Sequence, residues 1–243
     1  MGSGGVQWDD QDVLSVARLN QKTIYVSPST SPPATTYAGM FWQQTDTNLT
    51  FVMNGANTGW VLQPFTLLSS VTTSQCNAAS SEAVLSSCTF TLPANFLVAG
   101  RTIRIRFYGV HTSSSTPTNP RFRVRLGGLA GTVLLDSGVI TAIASQTNCL
   151  LIYEAIITCL TTGSSGTVEA QGSIRFNPAT AATPPLREYA LNSAATVGTT
   201  VGNSSAVTVN TTLQNDLVFT CFFSSTTAGN TVTMRNGTVE VIA

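Results

Sequence analysis

Residues Arg101-Thr-Ile-Arg-Ile-Arg-Phe-Tyr108 alternate between apolar and polar side chains almost without a break. A period of two is the repeat of a β-strand with one face buried, and a helix cannot accommodate it. The pattern assigns Ile103, Ile105 and Phe107 to an interior and Arg104, Arg106 and Tyr108 to the outside. Arg121-Phe-Arg-Val-Arg-Leu126 repeats it, with Phe122, Val124 and Leu126 inside. Further strand candidates fall at 84–92, 131–136, 148–161, 166–176, 204–212, 216–224 and 231–242, separated by turns rich in Gly, Ser, Thr and Asn. So many short strands at such spacing predict an all-β fold, a jelly-roll β-sandwich over residues 65–243.

Charge narrows the reading. Only 9% of the 243 residues are charged, with 11 basic and 11 acidic side chains giving a formal net charge of zero. A neutral surface does not draw nucleic acid or an anionic membrane by bulk electrostatics. The 63 Ser and Thr residues must supply most of the surface polarity. Near-zero net charge favours association, so an assembly component is expected. No apolar run approaches the length of a membrane span, and the first residues show neither the basic nor the apolar region of a signal peptide. Without a secretory signal, the five cysteines (Cys76, Cys88, Cys149, Cys159 and Cys221) read as small buried hydrophobes, not a disulfide framework.

The N-terminal part is organised differently. Residues 1–36 read as an anchoring arm followed by a Pro-rich spacer. Asp9 to Asn20 carries the one helical pattern, with acidic residues first and Leu14, Ala17 and Leu19 on a common face. Ser27-Pro-Ser-Thr-Ser-Pro-Pro33 is expected to be extended. Residues 37–64 form a small unit of three strands: Tyr37–Trp42, Asn48–Asn54 and Gly59–Leu62. The arm has too few apolar residues for a core of its own, so Trp8, Val13, Leu14 and Leu19 require an outside surface to bury against.

Chemistry is sparse. The single histidine, His111, cannot build a multi-histidine metal site, and no GxSxG motif supports a serine nucleophile. The carboxylates are scattered, and Asp9, Asp10 and Asp12 lack the glycine and terminal glutamate of a calcium loop. Gly127-Gly-Leu-Ala-Gly131 has no lysine and reads as a hairpin turn. No cofactor, no metal and no enzymatic activity is expected. The arginines are the concentrated polar feature: Arg101, Arg104, Arg106, Arg121, Arg123 and Arg125 fall within 25 residues, six of the chain's ten. On strands that were neighbours they would make one basic stripe facing a partner, or a solvated face balanced by Glu154, Glu169 and Glu240. Leu150-Leu-Ile-Tyr-Glu-Ala-Ile-Ile157 is nearly continuous in apolar residues, as a strand buried on both faces would be. Leu151, Tyr153, Ile157, Phe219 and Phe223 are the interface candidates. Residues 178–203 read as a long loop.

Three stretches carry a family resemblance. Val6-Gln-Trp8 with the acidic run, Val13-Leu14-Ser15 and Leu19-Asn20 resembles the N-terminal segment of bacteriophage virion proteins, with Ser15 where Thr is usual. Gly39-Met-Phe-Trp42, Thr45-Asp-Thr47, Asn54-Gly55 and Gly59-Trp60 resemble a short β module of phage fibre and decoration proteins. Ala99-Gly-Arg-Thr-Ile-Arg-Ile-Arg-Phe-Tyr-Gly109, Leu135-Asp-Ser-Gly138 and Gly237-Thr-Val-Glu-Val241 are similar to phage structural proteins with a tumour-necrosis-factor-like jelly roll. The resemblance implies a homotrimer, with the N-terminal segment as anchor and the jelly roll outward, and no catalytic residues. On this reading the chain is a capsid decoration (cement) protein. It would bind the phage's major capsid protein on the capsid exterior, after assembly in the bacterial host cytoplasm. The alternative is a tail or head fibre that recognises host surface glycans.

Overall fold

A computed structural model describes residues 24–28, 30–34, 36, 38–45, 50–62, 65–70, 72–176, 187–191 and 205–242. The helical pattern at 9–20 and the arm residues Trp8, Val13, Leu14 and Leu19 lie outside the described residues. The chain divides into two compact units, one ending at Pro64 and one beginning at Phe65.

The first unit holds a four-stranded sheet in the order β1-β2-β3-β4: β1 (Ile24–Ser27), β2 (Phe41–Gln44), β3 (Thr50–Met53) and β4 (Trp60–Leu62). The sequence pattern gives three strands here. The fourth, β1, comes from residues assigned to the arm, and it runs parallel to β2 with Ile24 opposite Phe41. Parallel neighbours require a crossover, which the Pro-rich stretch supplies. That stretch is not fully extended: the Ser31 N–H donates to the Pro28 carbonyl at 2.9 Å, forming a turn. Trp42 explains why β1 docks. Its indole N–H donates to Ser27 Oγ at 2.9 Å, and its ring packs on Phe51 and Trp60 with centroids 5.6 and 5.4 Å away.

The second unit runs through β5 (Phe65–Ser70), β6 (Ser74–Asn77), β7 (Ala83–Leu92), β8 (Thr102–Ser113), β9 (Pro120–Leu126), β10 (Thr132–Asp136), β11 (Gln146–Thr161), β12 (Gly166–Phe176), β13 (Arg187–Leu191), β14 (Val207–Val209), β15 (Asn215–Phe223) and β16 (Thr231–Val241). Its small sheet has the order β10-β9-β15-β7. The large sheet has the order β13-β12-β11-β8-β16-β5, with β14 added on β12 and β6 on β16. The chain crosses between sheets repeatedly: β6 large, β7 small, β8 large, β9 and β10 small, β11 large, β15 small, β16 large. This is the double Greek key of a jelly roll, with β12 to β14 inserted between its sixth and seventh strands.

Alternation has become burial as the period requires. Every second residue of β8 and of β9 is buried. The interior centres on Phe219, whose ring lies 4.4 Å from Tyr153, 5.4 Å from Phe107 and 5.8 Å from Phe122 by centroid. Close strand approach also depends on Gly237 of β16, where an added Cβ would lie 2.1 Å from the Phe107 ring.

Four sequence expectations are corrected. Arg104 and Arg106 on β8 and Arg121, Arg123 and Arg125 on β9 do not share a face, because β8 and β9 belong to different sheets. Leu151, Tyr153, Ile157, Phe219 and Phe223 are no more than 1% exposed within the single chain, so they form the sandwich interior, not a surface between chains. β11 is buried on one face alone, since Leu150 and Ile156 on the other are 41% and 46% exposed. The stretch read as a long loop contains β13, which pairs antiparallel with β12.

Replacing Phe219 with alanine removes the ring that contacts both sheets. The variant is expected to lose about 3–5 kcal/mol of unfolding free energy, measured by urea denaturation. A loss below about 1 kcal/mol would mean that this cluster does not hold the sheets together.

Candidate functional site

The arginines form two separate clusters, each built by the register of its sheet. On the small sheet, Arg121, Arg123 and Arg125 project from alternate positions of β9. Asp136, at the end of β10, accepts from Arg121 Nε at 2.8 Å and Nη2 at 2.7 Å and from Arg123 Nε at 2.6 Å. Glu82, just before β7, accepts from Arg123 Nη1 at 2.6 Å and from Arg125 Nε and Nη2 at 2.7 and 2.8 Å. Thr220 Oγ1 donates to the same carboxylate. Below this chain of charges lies the Phe222 ring, 5.6 and 5.0 Å from the Arg121 and Arg123 guanidinium carbons. Forked donors that each reach a carboxylate are the strong form of ion pair. Burial alone would raise the Glu82 pKa. The hydrogen bonds from Arg125, Thr220 and Arg123 outweigh it and hold the carboxyl at about 2.

The second cluster lies on the outer face of the large sheet. Arg104 on β8 donates from Nε to Glu240 Oε2 on β16 at 2.9 Å. Arg106 Nε reaches Glu154 Oε1 on β11 at 2.9 Å, and Arg175 on β12 pairs with the other oxygen of Glu154. These pairs are more open to water than those on the small sheet. Between them is a shallow depression of about 770 Å³, lined by Arg104, Arg106, Glu154, Ile156, Leu160 and Gln171 among others. Leu150, Ile156 and Leu160 stand 41%, 46% and 42% exposed along one face of β11. A row of large apolar side chains on a sheet face, bounded by ion pairs, is a surface suited to contact with another protein.

The residues that sequence reasoning named on β11, Leu151, Tyr153 and Ile157, are buried, and the exposed row lies on the opposite face of the strand. The near-continuous apolar run of β11 carries no alternation, so only the pairing of Tyr153 with Phe107 and Ile174 decides which side faces inward. Glu82 was missed because nothing in its neighbours signals its two arginine partners. Glu154 and Glu240 do balance arginines, as the solvated-face reading held. Arg101 stands apart from both clusters: it is buried, donates to the Phe96 carbonyl and lies 4.9 Å from the Phe96 ring. His111 is buried on β8, and burial pushes it down to about 4, so its ring is neutral in the fold near pH 7. All five cysteines are buried thiols. The Gly127–Gly131 stretch is the β9–β10 turn. Among the described residues, no group of three or more His, Cys, Asp or Glu side chains is placed to hold a metal ion.

No family model matches this chain, and no curated protein matches it. Among solved structures it is similar to the CBM2 module of the evolved Dit of Lactobacillus casei BL23 phage J-1, at 9% identity and a TM-score of 0.33, over 74% of this chain and 97% of that one. It is also similar to a structure of infectious bursal disease virus, Gx strain, at 14% identity and a TM-score of 0.25, over 76% of this chain and 44% of that one. The VP2 subviral particle of infectious bursal disease virus matches at 12% identity and a TM-score of 0.22, over 76% and 44%.

The small-sheet cluster has a pH signature. The Glu82 pKa is lowered from an ordinary 4.5 to about 2, so its contribution is complete above pH 4.5 and is lost as pH falls toward 2. Glu82→Gln is expected to cost about 2 kcal/mol at pH 7, with the gap to the parent closing between pH 4.5 and 2. Urea denaturation of both proteins across that range measures it. A gap independent of pH would assign the effect to packing instead of charge.

Proposed function

We propose that this chain is a non-enzymatic structural protein of a phage virion: a homotrimeric decoration protein that binds the outer capsid surface and stabilises it. The observation that carries the reading is the outer face of the large sheet. Its apolar row of Leu150, Ile156 and Leu160 lies among Arg104, Arg106 and Arg175 and the matching acids Glu154, Glu169 and Glu240. Its charges are of both signs and are paired across strands, so around a threefold axis the apolar row of one copy meets its neighbour without setting like charges together. The self-contact therefore belongs to this face, in place of the interior residues that the sequence singled out.

The rest of the assignment is supported by the three sequence stretches that resemble phage virion proteins. In this reading the N-terminal residues Trp8, Val13, Leu14 and Leu19 bury against the major capsid protein. The two arginine clusters, each tied by carboxylates within its own sheet, stiffen the jelly roll. Low charge and a rigid sandwich suit a shell component that resists pressure from within.

Two experiments test the proposal. The double variant Leu150→Lys with Ile156→Lys should shift the protein from trimer to monomer in size-exclusion chromatography with light scattering while keeping its circular dichroism; an unchanged trimer would remove the large-sheet face from the interface. Quantitative mass spectrometry of purified particles should count hundreds of copies in a simple ratio to the capsid subunit, and deletion of residues 1–22 should abolish that incorporation. A few dozen copies would instead mean a tail or vertex fibre and direct attention to glycan recognition.

A further inference from the structure

Two thiols that the proposed function does not use stand together in the sandwich. Cys76 lies on β6, opposite Val232 of β16 in the large sheet. Cys221 lies on β15, between Phe122 and Ala83 in the small sheet. They are 2% and 0% exposed, so each points into the space between the sheets. Although 145 residues separate them, the Cys76 thiol donates to the Cys221 carbonyl oxygen at 3.4 Å across the sandwich. The other three thiols bond to groups within three residues of themselves in the chain: Cys88 with Ser87 Oγ, Cys149 with Gln146 Oε1 and Cys159 with the Thr161 carbonyl. One thiol pair is thus set apart by position.

We propose that Cys76 and Cys221 are a modification site, closing into an inter-sheet disulfide when the folded protein meets a low-molecular-weight disulfide. The two residues touch across the sandwich before the reaction, so the bond forms by local movement of β6 against β15. A disulfide needs Cα atoms about 4.4–6.8 Å apart, so closure requires a short edge strand that can shift toward the opposite sheet. β6 is such a strand: it is four residues long and takes its ladder pairing from β16. A short edge strand opens locally at lower cost than the sheet centre, which admits the oxidant.

The order of events follows from the two environments. The hydrogen bond from Cys221 lowers the Cys76 pKa against the opposing effect of burial, while burial pushes Cys221 well above the usual thiol value. Cys76 is therefore the attacking thiolate. It forms a bond to one sulfur of the oxidant, breaks the oxidant's S–S bond and releases one small thiolate, which takes up the proton Cys76 lost. The Cys221 thiol then gives up its proton and attacks the Cys76 sulfur of the mixed disulfide, releasing the second small thiol. Two protein thiols are oxidised and one small disulfide is reduced to two thiols.

The test uses the full chain, reduced, freed of reductant and incubated with oxidised glutathione, both in native buffer and in urea below the unfolding transition. Denatured thiol titration should fall from five to three, and a non-reducing peptide map should show the Cys76–Cys221 cross-link. The melting temperature should rise by about 5–10 °C, because the bond closes a long loop in the unfolded chain. Under the same treatment Cys76→Ser should keep its four thiols. Five remaining thiols under both conditions, a cross-link through another pair, or reaction that stops at a glutathione adduct on Cys76 would each overturn the proposal.

Discussion

The contact of Phe219 with Phe107, Phe122 and Tyr153 joins the two halves of the jelly roll. Phe122 belongs to the small sheet with Phe219, while Phe107 and Tyr153 come from β8 and β11 of the large one. Ring packing of this kind fixes more than area. It sets the separation of the sheets and the phase of each strand, because a slip of one residue would turn every inward side chain outward. The outward arginines occupy their positions because the apolar residues between them, Ile105, Phe122 and Val124, are committed to the interior.

That commitment explains how the chain manages with so few charges. Each arginine on β9 meets a carboxylate, Asp136 from neighbouring β10 or Glu82 from just before β7 across β15, and each carboxylate serves two arginines. Glu154 does the same on the large sheet, between Arg106 and Arg175. Charge here works within the sheet faces, cross-strand, and leaves little unpaired field to act at a distance. A surface of this type meets partners by shape and apolar contact.

The sequence made the strongly periodic strands legible, and the structure shows why others were not. β8 and β9 announce themselves because one face is wet and the other dry, with nothing ambiguous between. β11 has apolar residues on both faces, so its local pattern cannot say which is interior; that is decided by its pairing with β8 and β12. β5, β6 and β13 are short, and their identity as strands comes from the ladder they join on β16 or β12. β1 was hidden in a stretch whose prolines suggest a spacer, and its ladder with β2, beside the Trp42–Ser27 hydrogen bond, makes a strand of it. Likewise the split of the arginines into two groups is a matter of topology, since a hairpin and a crossover between β8 and β9 look alike in sequence.

The place of β16 has a consequence for how the protein is made. This strand follows all the others of the sandwich in the chain, yet it sits inside the large sheet, with β8 on one side and β5 and β6 on the other. Until it has left the ribosome, the edges of those three strands have nothing to pair with and the Phe107 side of the interior has no wall beyond β8. Folding of the sandwich is thus held back until this strand has been made, and the growing chain spends that interval with unpaired strand edges exposed. In a cell translating many copies at once, the yield of assembled protein depends on how that interval is protected as much as on the stability of the finished sandwich.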